Sequence, residues 1–375
     1  MSFPCLSLPG EDYLAIGLMS GTSLDGIDAA LLTSDGGENV RSGEFVSFPY
    51  EAGLRARLRD LLGARPGERE NDVAMVTAEV TEAHGNAVAA LLQRAGVSCQ
   101  EVDVIGFHGQ TINHNPAEGW TWQIGDGALL AALTGINVID DFRRRDMANG
   151  GEGAPLAPLY HAALLGASKR PFSVLNIGGV ANLTWLGAKK DEIIAFDTGP
   201  GNALMDDWAY AHTGRLFDQD GALAAAGTIN PLVLAGLLAH PFFDRTPPKS
   251  LDRNDFSTQT LAGLSPQDGA ATLCAFTVHT IVRGLAHLPA RPTGCIVTGG
   301  GRLNPVLMAA LGEEMAEIDL IGAEAAGWNG DALEAEAFAY LAIRSLCDLP
   351  ISLPSTTGVR QPTCGGTLHK APVKG

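Results

Sequence analysis

The sequence predicts an α/β protein of two similar lobes with a cleft between them, and three observations lead there. At 375 residues the chain is too long for one comfortable core, so two domains are the default expectation. Short apolar runs separated by turns come in two groups of three, each followed by helical segments and one more apolar strand. Composition is that of an ordinary globular protein, 46% hydrophobic, with glycines gathered where strands end.

The elements follow in order. YLAIGLM, IDAALLT and EFVSFPY alternate with turns and predict a three-stranded antiparallel meander. Helices are expected from Leu54 to Leu62 and from about Asp72 to Ala95, the second polar on one side and Ala, Val and Leu on the other. VDVIGFH predicts a buried strand ending in a polar turn, HGQT. Trp122–Leu165, rich in Gly, Asp and Arg, lies between the two halves. The order then repeats: FSVLNIGG, VANLTWL and EIIAFDTG as a meander, helical segments to about His287, the strand CIVTGG and a helix from Asn304. No residue-level repeat accompanies it, so the likeness of the halves rests on element order. DALEAEAFAYLAIRSL predicts a further helix, and the proline-bearing tail an irregular segment that returns to the first lobe. The expected division is residues 1–134 with 352–375 as the first lobe and 135–351 as the second.

Forty-two acidic against 25 basic residues give a formal charge of −17, which repels nucleic acid and anionic membranes and favours a small-molecule partner. The six cysteines stand singly, with no zinc spacing, which predicts reduced thiols. No basic region followed by a long apolar run opens the chain, and no uncharged apolar stretch is long enough to span a bilayer. A cytoplasmic protein is therefore expected.

Three glycine-rich turns point to a nucleotide. Gly21–Asp28, GTSLDGID, joins two predicted strands; its relaxed backbone can turn N–H groups inward, Thr22 and Ser23 add hydroxyls, and Asp25 can hold a metal through water. Asp197–Asn202, DTGPGN, and Thr298–Asn304, TGGGRLN, each place glycines where a strand meets a helix N-terminus, a geometry that favours anions. Singly each such turn is a common packing device. P-loop, GxGxxG and GxSxG patterns are absent.

MSGTSLDGIDAAL, GFHGQTINH, QIGDGALLA, DFRRRDMANGGEGAPLAP, LNIGGVANLT, FDTGPGNALMDDW, VTGGGRLN and EAEAFAYLA, in order from Met19 to Ala342, together resemble the anhydro-N-acetylmuramic acid kinases. The resemblance implies the sugar kinase, heat-shock ATPase and actin superfamily, with two ribonuclease-H-like lobes closing over ATP. It implies that water opens the 1,6-bridge of 1,6-anhydro-N-acetylmuramic acid, a product of cell-wall turnover. The γ-phosphate of ATP then passes to O6, giving N-acetylmuramic acid 6-phosphate and ADP, with Mg2+ as cofactor. It implies a homodimer, binding neither nucleic acid nor membrane.

The site residues follow from the same motifs. By position alone Asp197 reads first as an N-cap for the next helix; the resemblance makes it the catalytic base. Glu334 matches the acidic residue of EAxAFA and would orient the water or a hydroxyl, although beside Asp331 and Glu336 it also reads as a solvated face. The phosphate groups fall to Gly21, Thr22, Ser23, Leu24, Asp25, Gly26, Ile27 and Asp28, with Gly199 and Gly201 in the second lobe. Gly299, Gly300 and Gly301 take the adenosine and α-phosphate side. Arg143 offers a planar fork for the lactyl carboxylate, with Arg144 and Arg145 paired to Asp141 and Asp146 or solvated. Asp126, Gln123 and His108 are expected near the sugar, although Asp126 also reads as a helix cap and His108 as a structural turn residue. Where GGQG is usual the chain has GGEG, and Glu152 and Asp140 would add negative charge near an anionic substrate. Two other functions fit the same lobes: an ordinary hexosamine kinase, and a sugar-sensing regulator without turnover.

Overall fold

The structure, a computed structural model, describes residues 11–21, 24–166, 169–251 and 255–372. It divides into two compact units, Met1–Gly166 with Ala332–Gly375, and Ala167–Asp331.

In the first unit β1 (Tyr13–Ser20), β2 (Gly26–Ser34) and β3 (Val40–Pro49) form the predicted antiparallel meander. Two helices follow, α1 (Ala52–Leu61) and α2 (Glu70–Ala95). Val76, Val80, His84, Ala87 and Leu91 recur along one face of α2 and are buried, and Gly96 ends it at φ 66°. β4 (Val104–Asn115) then lies parallel to β1.

The expected HGQT turn is instead strand. β4 runs straight through it, bends at Gly109 (φ +72°), and pairs its second half with β5 (Trp120–Ile124). Polarity suggested a turn, but Gln110 is fully buried and hydrogen-bonded within the fold. Then come α3 (Gly127–Thr134), β6 (Val138–Asp140), α4 (Arg144–Ala148) and α5 (Pro158–Leu165).

The second unit repeats the plan. β7 (Phe172–Ile177), β8 (Val180–Leu186) and β9 (Ile193–Pro200) make the meander. Helices α6 (Ala203–Thr213), α7 (Ala222–Ala225), α8 (Pro231–Leu238) and α9 (Pro266–Gly284) follow, then β10 (Gly294–Thr298), α10 (Pro305–Glu314) and β11 (Asp319–Gly322). Its sheet order is β11-β10-β7-β8-β9, with β10 parallel to both β7 and β11. Leu175, Phe196, Trp208, Phe276 and Val297 centre its core, each fully buried side chain contributing about 1.5–3 kcal/mol. Together with its 3-10 extension to His287, α9 is the one described helix long and apolar enough to cross a membrane. It is mostly buried in this core.

The chain then returns to the first unit as α11 (Leu333–Leu346), α12 (Pro354–Thr357) and β12 (Thr367–His369). The first sheet reads β12-β6-β4-β1-β2-β3, so its five strands from β6 to β3 share the order of the second sheet. Three antiparallel strands flanked by two parallel ones, twice over, is the expected pair of ribonuclease-H-like lobes.

The boundaries differ from 134/135 and 351/352. β6, only three residues long, pairs in parallel with β4 and carries Val138–Asp140 into the first sheet. Helix α11 lies on β1 and β4 at glycine: a Cβ on Gly17 would overlap the Ala335 carbonyl, and one on Gly106 the Phe338 carbonyl. Such backbone-to-backbone packing ties α11 to the first unit, a contact between segments more than 200 residues apart that local pattern does not mark.

Candidate active site

In the first unit, the expected phosphate hairpin is the bend between β1 and β2. Leu24 N–H donates to Gly21 O at 3.2 Å, closing it. Leu24 takes a left-handed conformation (φ 59°) and, like Ile27, has its side chain in the core. Any ligand contact from these two is therefore through backbone. Gly26 is needed where β3 passes, because a Cβ there would overlap the Phe48 carbonyl. Asp25 is exposed and accepts a hydrogen bond from Arg55 Nη2 at 2.7 Å, and Asp28 sits half-buried on β2. Thr22 and Ser23 lie outside the described residues.

The residues expected near the sugar collect around the β4–β5 hairpin and α4. His108, on β4, donates from Nδ1 to Gly109 O (2.8 Å), while its Nε2 accepts from Arg143 Nε (3.1 Å) and Nη2 (3.0 Å). Burial first, and then the Arg143 charge, hold its pKa well below the ordinary histidine value. The ring is thus a neutral prop for the guanidinium, backed by Phe338 with ring centroids 4.5 Å apart. Arg143 Nη1 donates to Gly153 O at 2.8 Å. Gln123, on β5, donates to Thr121 Oγ1 (2.8 Å) and Thr111 Oγ1 (3.2 Å). Asp126 is the N-cap of α3, accepting from Leu129 N–H at 2.9 Å, as its position alone suggested.

The neighbouring arginines fall within the expected alternatives, one paired with Asp141 and one solvated, while Asp146 takes other partners. Arg144 pairs with Asp141 at 2.7 Å and Arg145 is exposed. Asp146 is buried and instead accepts from Gly153 N–H (2.8 Å) and Thr357 Oγ1 (2.6 Å), fixing the GGEG loop. A backbone amide and a hydroxyl satisfy it in place of an arginine. Asp140 is bonded to His369 Nε2 at 2.9 Å, and burial raises its pKa. Glu152 donates its backbone N–H to Thr357 O.

Glu334 is exposed in the first turn of α11. Glu336, expected on the same solvated face, is buried and accepts from Tyr160 OH at 2.5 Å. Desolvation raises both the Glu336 carboxyl and the Tyr160 phenol.

In the second unit, Asp197 lies inside β9, and Asn202, five residues on, holds the helix N-cap position. The capping alternative therefore does not apply. Asp197 is 7% exposed; its N–H donates to Lys249 O (2.9 Å), and its Oδ2 accepts from Leu251 N–H (2.8 Å). The segment 249–251 thus runs beside β9 and orients the carboxylate. Lys249 is itself buried, its Nζ over the Phe242 ring at 4.6 Å, and burial followed by the Arg245 and Arg283 charges pushes its pKa down to about 8.

The glycine turns of this unit pack on one another. Gly201 and Ala203 N–H donate to Gly179 O and Asn202 N–H to Gly178 O, so the start of α6 is capped by the β7–β8 bend. These donors, expected to face phosphate, are engaged within the protein. A Cβ on Gly199 would press on Thr280, on Gly201 overlap the Gly178 carbonyl, and on Gly299 and Gly301 overlap Asn176 and Ile177. Gly300 is exposed and meets only Asn202 Nδ2, at 3.4 Å. A 3-10 turn, Gly300–Leu303, separates β10 from α10.

The sequence profile of the family described as anhydro-N-acetylmuramic acid kinase matches residues 13–371. The chain belongs to that family. Among relatives bearing the same name, that of Rhizorhabdus wittichii is 53% identical over 364 residues, covering 95% of this chain and 99% of its own. Those of Acidiphilium cryptum (52%; 94% and 97% covered) and Zymomonas mobilis (48%; 95% and 99% covered) are similar over comparable spans. The protein is therefore an anhydro-N-acetylmuramic acid kinase by family.

For a kinase of this family, sequence reasoning missed the supports. Leu251 and Lys249 beside Asp197, and Ser20, Tyr50 and Gln110 beneath the first hairpin, all engage the expected site residues directly. Ser20 and Gln110 lay within quoted motifs and Tyr50 ended a quoted strand run, but their contacts, like those of Lys249 and Leu251, form with partners from other elements, which leaves no local signal.

Proposed function

We propose that this kinase uses ATP with Mg2+ to open the internal 1,6-bridge of 1,6-anhydro-N-acetylmuramic acid and to phosphorylate O6. Asp197 takes a proton from water as its oxygen bonds to C1. The C1–O6 bond breaks with its electron pair going to O6, and O6 attacks the γ-phosphorus, releasing ADP and N-acetylmuramic acid 6-phosphate. The observation that carries this is the buried carboxylate of Asp197, held by Leu251 N–H at 2.8 Å in a chain of this family. A carboxylate so oriented, within a strand and not capping a helix, suits a base.

The remaining roles follow. Arg143, its fork fixed by His108 and Gly153, suits the lactyl carboxylate. Gln123 and Asp126 are assigned to the sugar hydroxyls, and Glu334 supplies a second carboxylate. The Gly21–Asp28 bend takes the β- and γ-phosphates, and Gly300, the open glycine of its turn, the nucleotide's α-phosphate side. Gly199, Gly201, Gly299 and Gly301 shape these turns. The exposed Asp25 fits Mg2+ held through water, since only its Oδ1 is in the Arg55 pair. The ion would supply charge neutralisation at the transferring phosphoryl group. We assign the enzyme to recycling of cell-wall peptidoglycan in the cytoplasm, as a homodimer.

The test is a coupled ADP-release assay with the anhydro sugar, free N-acetylmuramic acid and N-acetylglucosamine. Turnover on the anhydro sugar alone, lost in Asp197→Asn, is expected. Turnover only on the free sugars would make this an ordinary hexosamine kinase, and binding without turnover a sensor.

A further inference from the structure

The turn between β10 and α10 is held by an arginine to which no role has been given. The Arg302 side chain is 4% exposed. Its Nη1 donates to Gly299 O at 3.0 Å, and its own backbone N–H donates to the same carbonyl at 3.3 Å. Nε and Nη2 donate to Glu324 Oε1 at 2.9 and 2.7 Å, and Nη2 gives its second proton to Asp331 Oδ1 at 2.8 Å. Each bond uses a different guanidinium proton, so one side chain serves all three partners at once.

The two carboxylates sit on a segment that is itself tied down. Glu324 lies in a 3-10 turn after β11, where Gly327 N–H donates to Glu324 O and Trp328 N–H to Ala323 O. Asp331 N–H donates to Asn329 Oδ1 at 3.2 Å. A Cβ on Gly330 would overlap the guanidinium, so glycine there lets the chain close against it. Hydrogen bonding from Arg302 holds the Glu324 carboxyl below its ordinary value, which keeps the pair charged.

The consequence falls on the peptide that Arg302 grips. The Gly299 carbonyl and the Gly300 N–H belong to one planar unit and point in opposite directions, so fixing the carbonyl on the guanidinium aims the N–H away from it. Gly299, at φ 74°, packs against Asn176 and Ile177, and Gly301 against Ile177. Gly300 between them is exposed. Glycine on both sides of a peptide leaves it free to flip, and the guanidinium removes that freedom. With its contacts made inside the protein, Arg302 sets the turn instead of touching the ligand.

We propose that Arg302 is a positioning residue for nucleotide binding, holding the Gly299–Gly300 peptide so that the Gly300 N–H donates to the α-phosphate. This rests on the reading above that places Gly300 on the α-phosphate side.

The test uses the full chain, with calorimetric binding of AMP and of adenosine, which differ only in the phosphate, and steady-state KM for the anhydro sugar. Gly300→Pro deletes the N–H itself at an exposed position, where an added Cβ meets only Asn202 Nδ2 at 3.4 Å. Arg302→Met keeps the length of the side chain and removes its donors. Both should raise the AMP Kd about tenfold and leave the adenosine Kd and the sugar KM unchanged, a split that general loss of structure would not produce. Arg302→Lys, whose single ammonium cannot reproduce the fork, should fall between wild type and Arg302→Met. An AMP Kd raised by Gly300→Pro and not by Arg302→Met would overturn the positioning role and leave the turn reading standing. No change in either would sink the turn reading and the proposal with it. A rise in Arg302→Met alone would show that the arginine does not act through that N–H, which also overturns the proposal. Should either variant fold poorly, Glu324→Ala, which frees one side of the fork at an exposed carboxylate, decides: AMP binding about threefold weaker is expected, and unaltered affinity overturns the proposal.

Discussion

The first hairpin of each sheet bends at glycine, yet the two bends are supported in opposite ways. Between β1 and β2 the carbonyls of Gly21 and Gly26 meet buried side chains, Gln110 and Ser20. Between β7 and β8 the carbonyls of Gly178 and Gly179 meet backbone N–H groups at the start of α6. The second arrangement uses up donors that would otherwise attract an anion; the first leaves no helix terminus engaged. The same topology thus makes the β7–β8 bend a packing joint on a helix start, whereas at the β1–β2 connection the carbonyls of Gly21 and Gly26 lie against side chains from elsewhere in the first unit. The histidines divide unequally: His84, His108, His114 and His161, with pKa values lowered mainly by burial, are all buried or half-buried in the first unit, whereas in the second His287, half-buried, is lowered in the same direction.

The largest expected effect follows from that division. A histidine whose folded pKa lies below 6.5 stays neutral while the unfolded chain takes up a proton, so stability is full above pH 6.5 and falls as pH drops toward the folded value. His84 and His161, each at about 4, would withdraw on the order of 3 kcal/mol apiece between pH 6.5 and 4. Hydrogen exchange at pH 7 and 4.5 should show protection lost first in the sheet of β1–β6. Loss first in β7–β11 would show that the histidines do not govern acid stability.

Next, Asp197→Asn keeps the size and the Leu251 contact but removes the base, and kcat should drop by about 10³ with the melting temperature within a few degrees. A tenfold drop or less would move catalysis elsewhere. The joint and the open turn are separated by a third pair. Gly201→Ala, overlapping the Gly178 carbonyl, should destabilise the second unit by about 2–3 kcal/mol in urea unfolding, whereas Gly300→Ala should cost under about 1 kcal/mol and instead weaken nucleotide binding. Equal losses in both would mean that Gly300 also packs. Smallest, Arg143→Lys removes the fork that grips His108 and Gly153, and should raise the sugar KM about tenfold with the KM for ATP unmoved.

Much of this was legible in the chain. Period-two apolar runs gave both meanders, and the heptad-like face of α2, from Val76 to Leu91, gave its burial. HGQT was misread because its polarity resembles a turn, whereas in the fold those groups bond to partners up to 90 residues away. Glu336 was misread for the same reason: a carboxylate on a helix looks solvated until Tyr160, 176 residues distant, is placed against it.

By itself the sequence determined the strand and helix order, the family, and the residue types at Asp197, Arg143 and the glycine bends, because periodicity and motif spacing are local properties. Tertiary structure decided which glycines are packing joints, where the units divide, and what holds each functional side chain. Those depend on backbone carbonyls and N–H groups brought together from distant segments, and every residue type carries the same ones.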